Sequence, residues 1–348
     1  MANPQPPTVC ILGLGQMGLV CASMLCAPDA GPRERPLVTM WGHNPDEAGA
    51  LAQTRRSPRL DGFRLPDEVR VCLTDQDALD GAAVIVSAIP VQFTREAWSR
   101  LRRHAPRGAG VVSVAKGVEN DTLLRPTQIV ADVLRDDPDA RPRQFGVLSG
   151  PTIAAELARG LPATMIAASD DPAFADRIQQ LFSTSYLRVY TNPDLLGVEL
   201  AGATKNVIAI AAGVLDGLQA GYNAKSALLA RGLAEISRLG GAMGASAETF
   251  FGIAGVGDLA TSCFSPEGRN RSCGEALGKG ETLDSYLRRS PYVVEGVATT
   301  KSVVDLARKY RVEMPITEAV HAVLFGGVDP IQAIGRLMSR ELKQERVG

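Results

Sequence analysis

The stretch TVCILGLGQMG, residues 8–18, decides the fold class of this 348-residue chain. An apolar, β-branched run ends in Gly13, Gly15 and Gly18, which have GxGxxG spacing, and a helical pattern follows. In such a strand–turn–helix unit, Gly13 permits the tight turn, Gly15 lets the backbone approach a pyrophosphate, and Gly18 lets helix and strand pack closely. The pattern predicts a dinucleotide-binding site; the alternative is a glycine-rich turn without a ligand.

Apolar runs continue through the first half of the chain and alternate with helical patterns. They are PLVTMWGHNP, AAVIVSAIP, AGVVSVAKG, RQFGVLSGP and PATMIAAS. Strands separated by helices favour parallel βαβ units, whereas helical periodicity dominates after about residue 190. We therefore predict an α/β protein with an N-terminal Rossmann-type doubly wound sheet over residues 1–188. An all-helical C-terminal domain over residues 189–348 follows it.

Composition and charge exclude several classes of function. Hydrophobic residues make up 45% of the chain and the formal net charge is −1, so no nucleic-acid surface or polybasic membrane patch is expected. The six cysteines form no CxxC pair and there are only three histidines, which argues against a structural metal. We find no apolar run of about 18 residues and no signal-peptide pattern in MANPQPPT, and so expect a soluble, cytoplasmic protein.

The end of the second strand bears on cofactor preference. A carboxylate there favours NAD and a cation favours NADP, because the ribose 2′ position is recognised at this point. The tip reads WGHNP, with His43 and no carboxylate before Asp46, and Arg55 and Arg56 follow on the next helix. This favours NADPH and leaves NADH open, and His43 could equally be an exposed turn residue.

Two other strand ends carry candidate ligand-binding residues. Lys116 follows a strand directly and precedes a glycine, and Gly150 lies in the strand-end turn SGPTIAAE. Ligands bind at the carboxyl ends of parallel strands, so both positions suit an anion. The alternatives are a surface lysine and an ordinary loop.

The second half of the chain contains an unusual lysine. In ELAGATKNVIAIAAG, residues 199–213, the helical neighbours of Lys205 are small or apolar, so this lysine should be paired or functional. The small neighbours also fit close helix packing. Downstream, Asp258 and the run 269–271 (Arg-Asn-Arg) suit a phosphate or carboxylate ligand, or form a solvated basic loop. Helix capping explains Glu295 adequately.

Together these segments resemble the bacterial-type NAD(P)-dependent glycerol-3-phosphate dehydrogenases. The resemblance extends in family order from residue 9 to about residue 326. It is carried by GLGQMG, WGHNP, AKGVE, SGPTIAAEL, GVELAGATKNVIAIAAGVLDGL, NAKSALLARGLAEISRLG, GVGDLATSCFS, GRNR, VVEGV and VEMPI.

The resemblance implies a role for each matching residue. Lys205 is the proton donor or acceptor at the substrate carbinol, Lys116 contacts nicotinamide and substrate, and Asp258 lies near the substrate hydroxyls. The other implied cofactor-binding residues are Gly13, Gly15, Gln16, Met17, Gly18, His43, Ala154, Arg269, Val293 and Glu295. The other implied substrate-binding residues are Gly150, Thr152, Gly268, Arg269 and Asn270, the last two on the phosphate.

The implied reaction is reversible reduction of dihydroxyacetone phosphate to sn-glycerol 3-phosphate by NAD(P)H, carried out by a homodimer that supplies glycerophospholipid synthesis.

Three positions depart from the family pattern. Gly268 stands where a serine is common, Ile153 where an aromatic is usual, and Gln16-Met17 replaces a serine–aromatic pair. These changes remove no acid, base or main phosphate ligand, but they bear on substrate affinity.

Two rival functions fit parts of the pattern. A β-hydroxyacid dehydrogenase or ketopantoate reductase has the same architecture, but the GRNR segment favours a phosphorylated substrate. A non-catalytic nucleotide-binding sensor would keep the fold and lose turnover. The presence of Lys116, Lys205, Asp258 and Arg269 together argues against the sensor.

Overall fold

The computed structural model describes residues 6–28, 35–135, 143–342 and 344. Residues 1–5, the first part of the MANPQPPT stretch, lie outside the described residues. The chain divides into two compact units. A nucleotide unit comprises Met1–Ala115 and Pro126–Leu195, and a helical unit comprises Lys116–Arg125 and Leu196–Gly348.

The nucleotide unit is built on an eight-stranded sheet in the order β3-β2-β1-β4-β5-β6-β7-β8. All neighbouring strands pair in parallel except β6 and β7, which are antiparallel. The strands are β1 (Thr8–Leu12), β2 (Leu37–Trp41), β3 (Arg70–Cys72), β4 (Ala82–Ser87), β5 (Gly110–Ser113), β6 (Phe145–Ser149), β7 (Ala163–Ala168) and β8 (Leu187–Asn192). The helices are α1 (Gln16–Leu25), α2 (Pro45–Thr54), α3 (Asp75–Leu79), α4 (Val91–Leu101), α5 (Pro126–Leu134), α6 (Ala154–Ala158) and α7 (Pro172–Phe182), with a 3₁₀ turn at Arg102–His104.

Both faces of this sheet are covered, which explains why its strands are apolar throughout. In β1, Val9 and Ile11 belong to one hydrophobic cluster, whereas Cys10 and Leu12 belong to another. Alternate side chains of a strand point to opposite faces, so each cluster fills one side of the sheet. The predicted doubly wound sheet is confirmed.

The helical unit contains the remaining elements. They are α8 (Leu195–Gly217), α9 (Gly221–Met243), α10 (Ala247–Phe251), a π-helical turn (Ile253–Gly257), α11 (Asp258–Phe264), α12 (Arg269–Gly278), α13 (Leu283–Arg289), α14 (Glu295–Tyr310), α15 (Pro315–Phe325) and α16 (Pro330–Met338). Helix α8 is long and apolar enough to cross a membrane by length and composition alone. However, 94% of its most apolar window is buried inside the protein, as in a central core helix.

A short segment between β5 and α5 belongs to the helical unit although it follows a strand of the nucleotide unit. Val118 is fully buried in the core of the helical unit, and its carbonyl accepts a hydrogen bond from Ser302 Oγ at 2.9 Å. The carbonyl of Lys116 accepts another from Asn206 Nδ2 at 3.1 Å. The predicted division after residue 188 falls within β8, and the nucleotide unit continues to Leu195.

Candidate active site

The glycine-rich turn of the nucleotide unit fits a dinucleotide. Gly13 has a φ of +119°, and a Cβ there would lie 2.6 Å from the Ala88 carbonyl oxygen. A Cβ on Gly18 would lie 2.1 Å from the Gly13 carbonyl oxygen, so helix and turn pack without room for a side chain. A Cβ on Gly15 would meet nothing within 4 Å, which leaves open space beside the turn. No described side chain caps the first turn of α1, so its amides suit a pyrophosphate.

The side chain of the first helical residue holds a neighbouring loop. Gln16 Nε2 donates a hydrogen bond to the Arg59 carbonyl at 2.9 Å, while Arg59 pairs with Glu47 at the start of α2. Met17 packs against the adjoining hydrophobic cluster. Gln16 therefore steadies the loop beside the glycine turn.

The end of β2 presents an exposed His43. Asn44 caps α2, since its Oδ1 accepts a hydrogen bond from the Asp46 amide at 2.9 Å. The predicted cation Arg55 is engaged elsewhere, because its guanidinium donates to the carbonyls of Pro66 and Val69. Arg55 therefore gives no support to recognition of a 2′-phosphate.

The turn after β6 has a backbone conformation that favours glycine. Gly150 has a φ of +138°, and its carbonyl accepts a hydrogen bond from Thr152 Oγ1 at 3.2 Å. Ala154 is the first residue of α6. Beside them, the buried Ser149 Oγ has no hydrogen-bond partner in the described structure.

In the helical unit, one buried carboxylate lies between two lysines. Asp258 Oδ2 is 2.6 Å from Lys116 Nζ, and Asp258 Oδ1 is 3.0 Å from Lys205 Nζ. Asp258 is only 1% exposed and Lys205 only 8%, so water screens these contacts weakly. Residues 142 positions apart in sequence thus form one charged cluster, which we call the Lys–Asp–Lys cluster.

Local structure explains how each member reaches the cluster. Lys205 lies in the middle of α8, and Asp258 is the first residue of α11, directly after the π-helical turn. One turn into α11, Ser262 Oγ accepts a hydrogen bond from Lys205 Nζ at 2.5 Å. Asn206, which follows Lys205 in α8, donates a hydrogen bond to the Lys116 carbonyl. It thereby positions the second lysine of the cluster.

Burial and the neighbouring opposite charges shift the pKa values of Lys116 and Asp258 in opposite directions. The pKa of Lys116 is lowered from 10.5 to about 8, chiefly by burial, while Asp258 raises it and Lys205 lowers it. Burial acts to raise the pKa of Asp258, but the charges of Lys116 and Lys205 outweigh burial and hold that pKa below its usual range. A carboxylate held ionised beside a lysine that titrates near pH 8 is typical of a functional site.

The GRNR segment separates into residues that face different partners. Arg269 is exposed, and its Nη1 donates to the Val293 carbonyl at 3.4 Å. Asn270 Oδ1 accepts a hydrogen bond from the Gly296 amide at 2.9 Å and so holds the first turn of α14. Gly268 precedes α12 as its N-cap, and Glu295 begins α14.

Arg271 does not join these two residues. Its guanidinium pairs with Asp216 at 2.7 Å and Glu275 at 3.0 Å, and also donates to the Ser265 carbonyl. These bonds leave it in a structural network of the helical unit. Of the Arg-Asn-Arg run, therefore, only Arg269 and Asn270 remain candidates for an anion.

Comparison with known proteins identifies the family. Residues 8–175 match the N-terminal domain of NAD-dependent glycerol-3-phosphate dehydrogenase, and residues 194–335 match its C-terminal domain. The chain belongs to this family. It is an NAD(P)-dependent oxidoreductase of the glycerol-3-phosphate dehydrogenase type, as the sequence motifs predicted.

Individual relatives cover nearly the whole chain. A glycerol-3-phosphate dehydrogenase [NAD(P)+] of Salinibacter ruber is 45% identical over 88% of this chain and 90% of its own. A glycerol-3-phosphate dehydrogenase [NAD(P)+] of Chlorobium limicola is 42% identical over 97% of this chain and 99% of its own. The crystal structure of glycerol-3-phosphate dehydrogenase from Coxiella burnetii has a TM-score of 0.89 at 32% identity, covering 97% of this chain and 100% of that one.

The rival reductase class is similar in fold alone. A ketopantoate reductase from Ralstonia eutropha has a TM-score of 0.58 at 17% identity over 94% of this chain and 99% of its own. Such a likeness carries no information about the substrate.

Sequence reasoning missed two residues of the helical unit. Ser262 and Asn206 are small polar residues inside helical patterns, where nothing in the composition distinguishes them. The signal that could have found Ser262 is its spacing, because a residue four positions after Asp258 lies on the same helix face. Asn206 adjoins Lys205, and only the structure shows its bond to the Lys116 backbone.

Proposed function

We propose that this chain interconverts dihydroxyacetone phosphate and sn-glycerol 3-phosphate, with Lys205 as proton donor and acceptor. The observation that carries the proposal is the Lys–Asp–Lys cluster, in which two ammonium groups lie within 3.0 Å of one buried carboxylate. A cation next to a substrate carbonyl is what a carbonyl reduction needs, since negative charge develops on the oxygen.

Each residue of the cluster is proposed to have its own role in the reaction. When bound, the reduced nicotinamide supplies the hydride that the carbonyl carbon receives. Lys205 Nζ donates a proton to the carbonyl oxygen as it gains negative charge, giving the hydroxyl, and takes the proton back in the reverse direction. Asp258 and Ser262 hold Nζ in place at 3.0 and 2.5 Å. Lys116 adds a second positive charge that stabilises the developing oxyanion.

Arg269 and Asn270 are proposed to bind the substrate phosphate. The Arg269 guanidinium is exposed and makes one long contact with a carbonyl, so its donors can pair with phosphate oxygens. Asn270 uses Oδ1 for the Gly296 amide, which leaves its Nδ2 group as a donor. Gly268 is proposed as a further substrate contact, but its own amide donates to the Ser265 carbonyl at 3.2 Å and so does not replace the serine hydroxyl common in the family.

Further contacts to the cofactor and the substrate are proposed within each unit from the family resemblance. Open space at Gly15 and the amides of α1 support a pyrophosphate position there. The proposed substrate contacts in the nucleotide unit are Gly150 and Thr152. The other proposed cofactor contacts are Gly13, Gln16, Met17, Gly18, His43, Ala154, Val293 and Glu295.

The cofactor preference is proposed to be NADPH. The exposed His43 at the end of β2, with no carboxylate before Asp46, supports this preference. Arg55 gives the preference for NADPH no support, because its guanidinium is bound to backbone carbonyls. Oxidation of NADPH and NADH, measured separately by loss of absorbance with dihydroxyacetone phosphate, tests it; a faster rate with NADH would overturn the preference.

The proposed setting is a cytoplasmic homodimer that supplies glycerol phosphate for glycerophospholipid synthesis. This setting follows from the family resemblance.

The catalytic proposal is tested by Lys205→Ala. We expect kcat to fall by about 10²–10⁴-fold, as for loss of a general acid, while NADPH affinity measured by fluorescence titration stays unchanged. Lys279→Ala is the matched control, because Lys279 is 61% exposed and pairs only with Glu275 in the described structure. Full activity of Lys205→Ala would refute the proton-transfer role.

A further inference from the structure

The loop between α2 and β3, residues 55–69, returns to the glycine-rich turn and brings an arginine beside it. Gln16 Nε2, in the first turn of α1, donates a hydrogen bond to the Arg59 carbonyl at 2.9 Å. Arg59 Nε lies 2.5 Å from Glu47 Oε1, and its Nη2 lies 3.0 Å from Glu47 Oε2. Glu47 belongs to the first turn of α2. Arg59 is therefore tied to the starts of both helices, and the cofactor contacts proposed above do not include it.

The end of β2 lies against the same turn. The Trp41 carbonyl accepts a hydrogen bond from the Gly13 amide at 2.8 Å. A Cβ on Gly42 would lie 2.4 Å from Leu14 Cδ1, so Gly42 packs directly on the turn. In dinucleotide-binding units this junction receives the adenosine ribose, where a carboxylate binds the 2′-hydroxyl of NAD or a nearby arginine accommodates the 2′-phosphate of NADP. The Arg59 guanidinium is thus held at the junction where the two cofactors differ.

Arg59 is well anchored, whereas its guanidinium remains accessible. Leu60 and Phe63 are buried in the hydrophobic cluster that also contains the core residues of α1. The Arg59 amide donates a hydrogen bond to Ser57 Oγ at 3.2 Å, which fixes its backbone. Its side chain is 42% exposed. A planar guanidinium with several N–H donors can bind a phosphate bidentately, so an anchored and accessible arginine suits that ligand.

Two neighbouring arginines of the loop are engaged elsewhere. Arg55 donates to backbone carbonyls, and Arg64 Nη2 pairs with Asp67 at 2.8 Å. Gln16 stands where the family commonly has a serine, whose side chain is too short to span the same distance. The bond that ties Arg59 to the glycine-rich turn therefore belongs to this chain's own departure from the family pattern.

We infer that Arg59 binds the 2′-phosphate of NADPH, with Gln16 and Glu47 as positioning residues. Gln16 holds the backbone of the arginine, and Glu47 orients its guanidinium. The inference rests on the NADPH preference proposed above and assigns that preference to a residue. Glu47 also limits the affinity, because its carboxylate repels a phosphate that approaches the same guanidinium.

Fluorescence titration of the two reduced cofactors tests this assignment. Arg59→Ala should raise the Kd of NADPH about 10–100-fold, as for loss of a charge-assisted contact, and change the Kd of NADH by less than about twofold. Gln16→Ala keeps the guanidinium but releases its loop, so it should raise the Kd of NADPH by a smaller factor. Arg70→Ala is the control and should change neither Kd, because Arg70 is 65% exposed and begins β3, at the sheet edge opposite the carboxyl ends of the strands.

Glu47→Gln separates the phosphate from the hydroxyl as the group that is recognised. The glutamine amide still accepts a hydrogen bond from Arg59 but carries no charge, so NADPH should bind at least as tightly as to the wild type. A weaker affinity for NADH with an unchanged affinity for NADPH would show that the carboxylate binds the 2′-hydroxyl, and would overturn the assignment of this place to a phosphate.

Two other results for Arg59→Ala would contradict the inference. An equal loss of affinity for both cofactors, or no loss for either, would overturn its role on the phosphate. Circular dichroism and melting temperature show that each variant is folded. The wild-type ratio of the two Kd values tests the proposed preference, whereas the change of that ratio in Arg59→Ala tests the inference. Turnover with dihydroxyacetone phosphate is measured on the same samples, so failure of the proposed reaction is distinguished from both.

Discussion

Replacing Asp258 by asparagine keeps the shape of the side chain and removes the negative charge between two lysines. In the wild type, Asp258 lies 2.6 Å from Lys116 Nζ and 3.0 Å from Lys205 Nζ, and is 1% exposed. The variant leaves these ammonium groups close together in a poorly hydrated place. We therefore expect Asp258→Asn to lower the free energy of unfolding.

The magnitude follows from the burial of the pair and depends on pH. Removing one partner of a buried ion pair costs about 3–5 kcal/mol, so a loss of ~3 kcal/mol is expected at pH 6. Lys116 has a pKa of about 8 with Asp258 present, and without that carboxylate its pKa falls further. At pH values between the Lys116 pKa of the variant and that of the wild type, Lys116 of the folded wild type binds a proton, whereas Lys116 of the folded variant does not. The loss therefore shrinks as pH rises, by up to ~1.4 kcal/mol per pH unit, to ~1 kcal/mol at pH 9.

Urea unfolding followed by circular dichroism at pH 6 and pH 9 measures both losses. Asp305→Asn is the control, because Asp305 pairs with Arg308 on the surface, where a change below about 0.5 kcal/mol is expected at either pH. A loss below about 1 kcal/mol at pH 6, or an equal loss at both pH values, would refute the view that Asp258 offsets the charge of buried lysines.

Three further variants test separate features. The pKa of the buried Glu235 is raised from 4.5 to about 7, chiefly by burial, so the folded chain binds a proton that the unfolded chain releases. Its contribution of up to ~3 kcal/mol is present below pH 4.5 and lost as pH rises through 7, and Glu235→Gln should flatten this slope in urea titrations. Gly18→Ala should abolish NADPH binding in fluorescence titration or prevent folding, since its Cβ would lie 2.1 Å from the Gly13 carbonyl oxygen; a normal affinity would contradict this packing. Asn270→Ala should raise KM for dihydroxyacetone phosphate and lower the melting temperature by a few degrees, because the Gly296 amide loses its acceptor. An unchanged KM would remove Asn270 from the phosphate site.

The sequence predicted those parts of the fold that local patterns determine. The run into Gly13 and Gly18 identified the strand, turn and helix, because only glycine tolerates the backbone approaches found there. Two strands were missed, Arg70–Cys72 and Leu187–Asn192. The first is only three residues long, and the second is half exposed, so neither gives the continuous apolar run of a buried strand.

Candidate site residues were easier to find when they conflicted with their surroundings. Lys205 stood out because a lysine among small apolar residues needs a partner, and the structure provides Asp258. Arg271 was grouped with Arg269 because the two are close in sequence, yet residues two positions apart on a helix point about 200° apart, and Arg271 bonds to Asp216. Which side chain each arginine bonds to depends on the tertiary packing of the helices, and the local sequence does not determine that packing.

The excursion of Lys116–Arg125 into the helical unit limits how this gene can be divided. The chain passes from one unit to the other three times, after Ala115, after Arg125 and after Leu195. A fragment that starts at residue 196 would lack Lys116 and the core residue Val118, so it would carry neither a full hydrophobic interior nor the Lys–Asp–Lys cluster. Chimeras that exchange helical units between relatives must therefore transfer this ten-residue insert together with the C-terminal half.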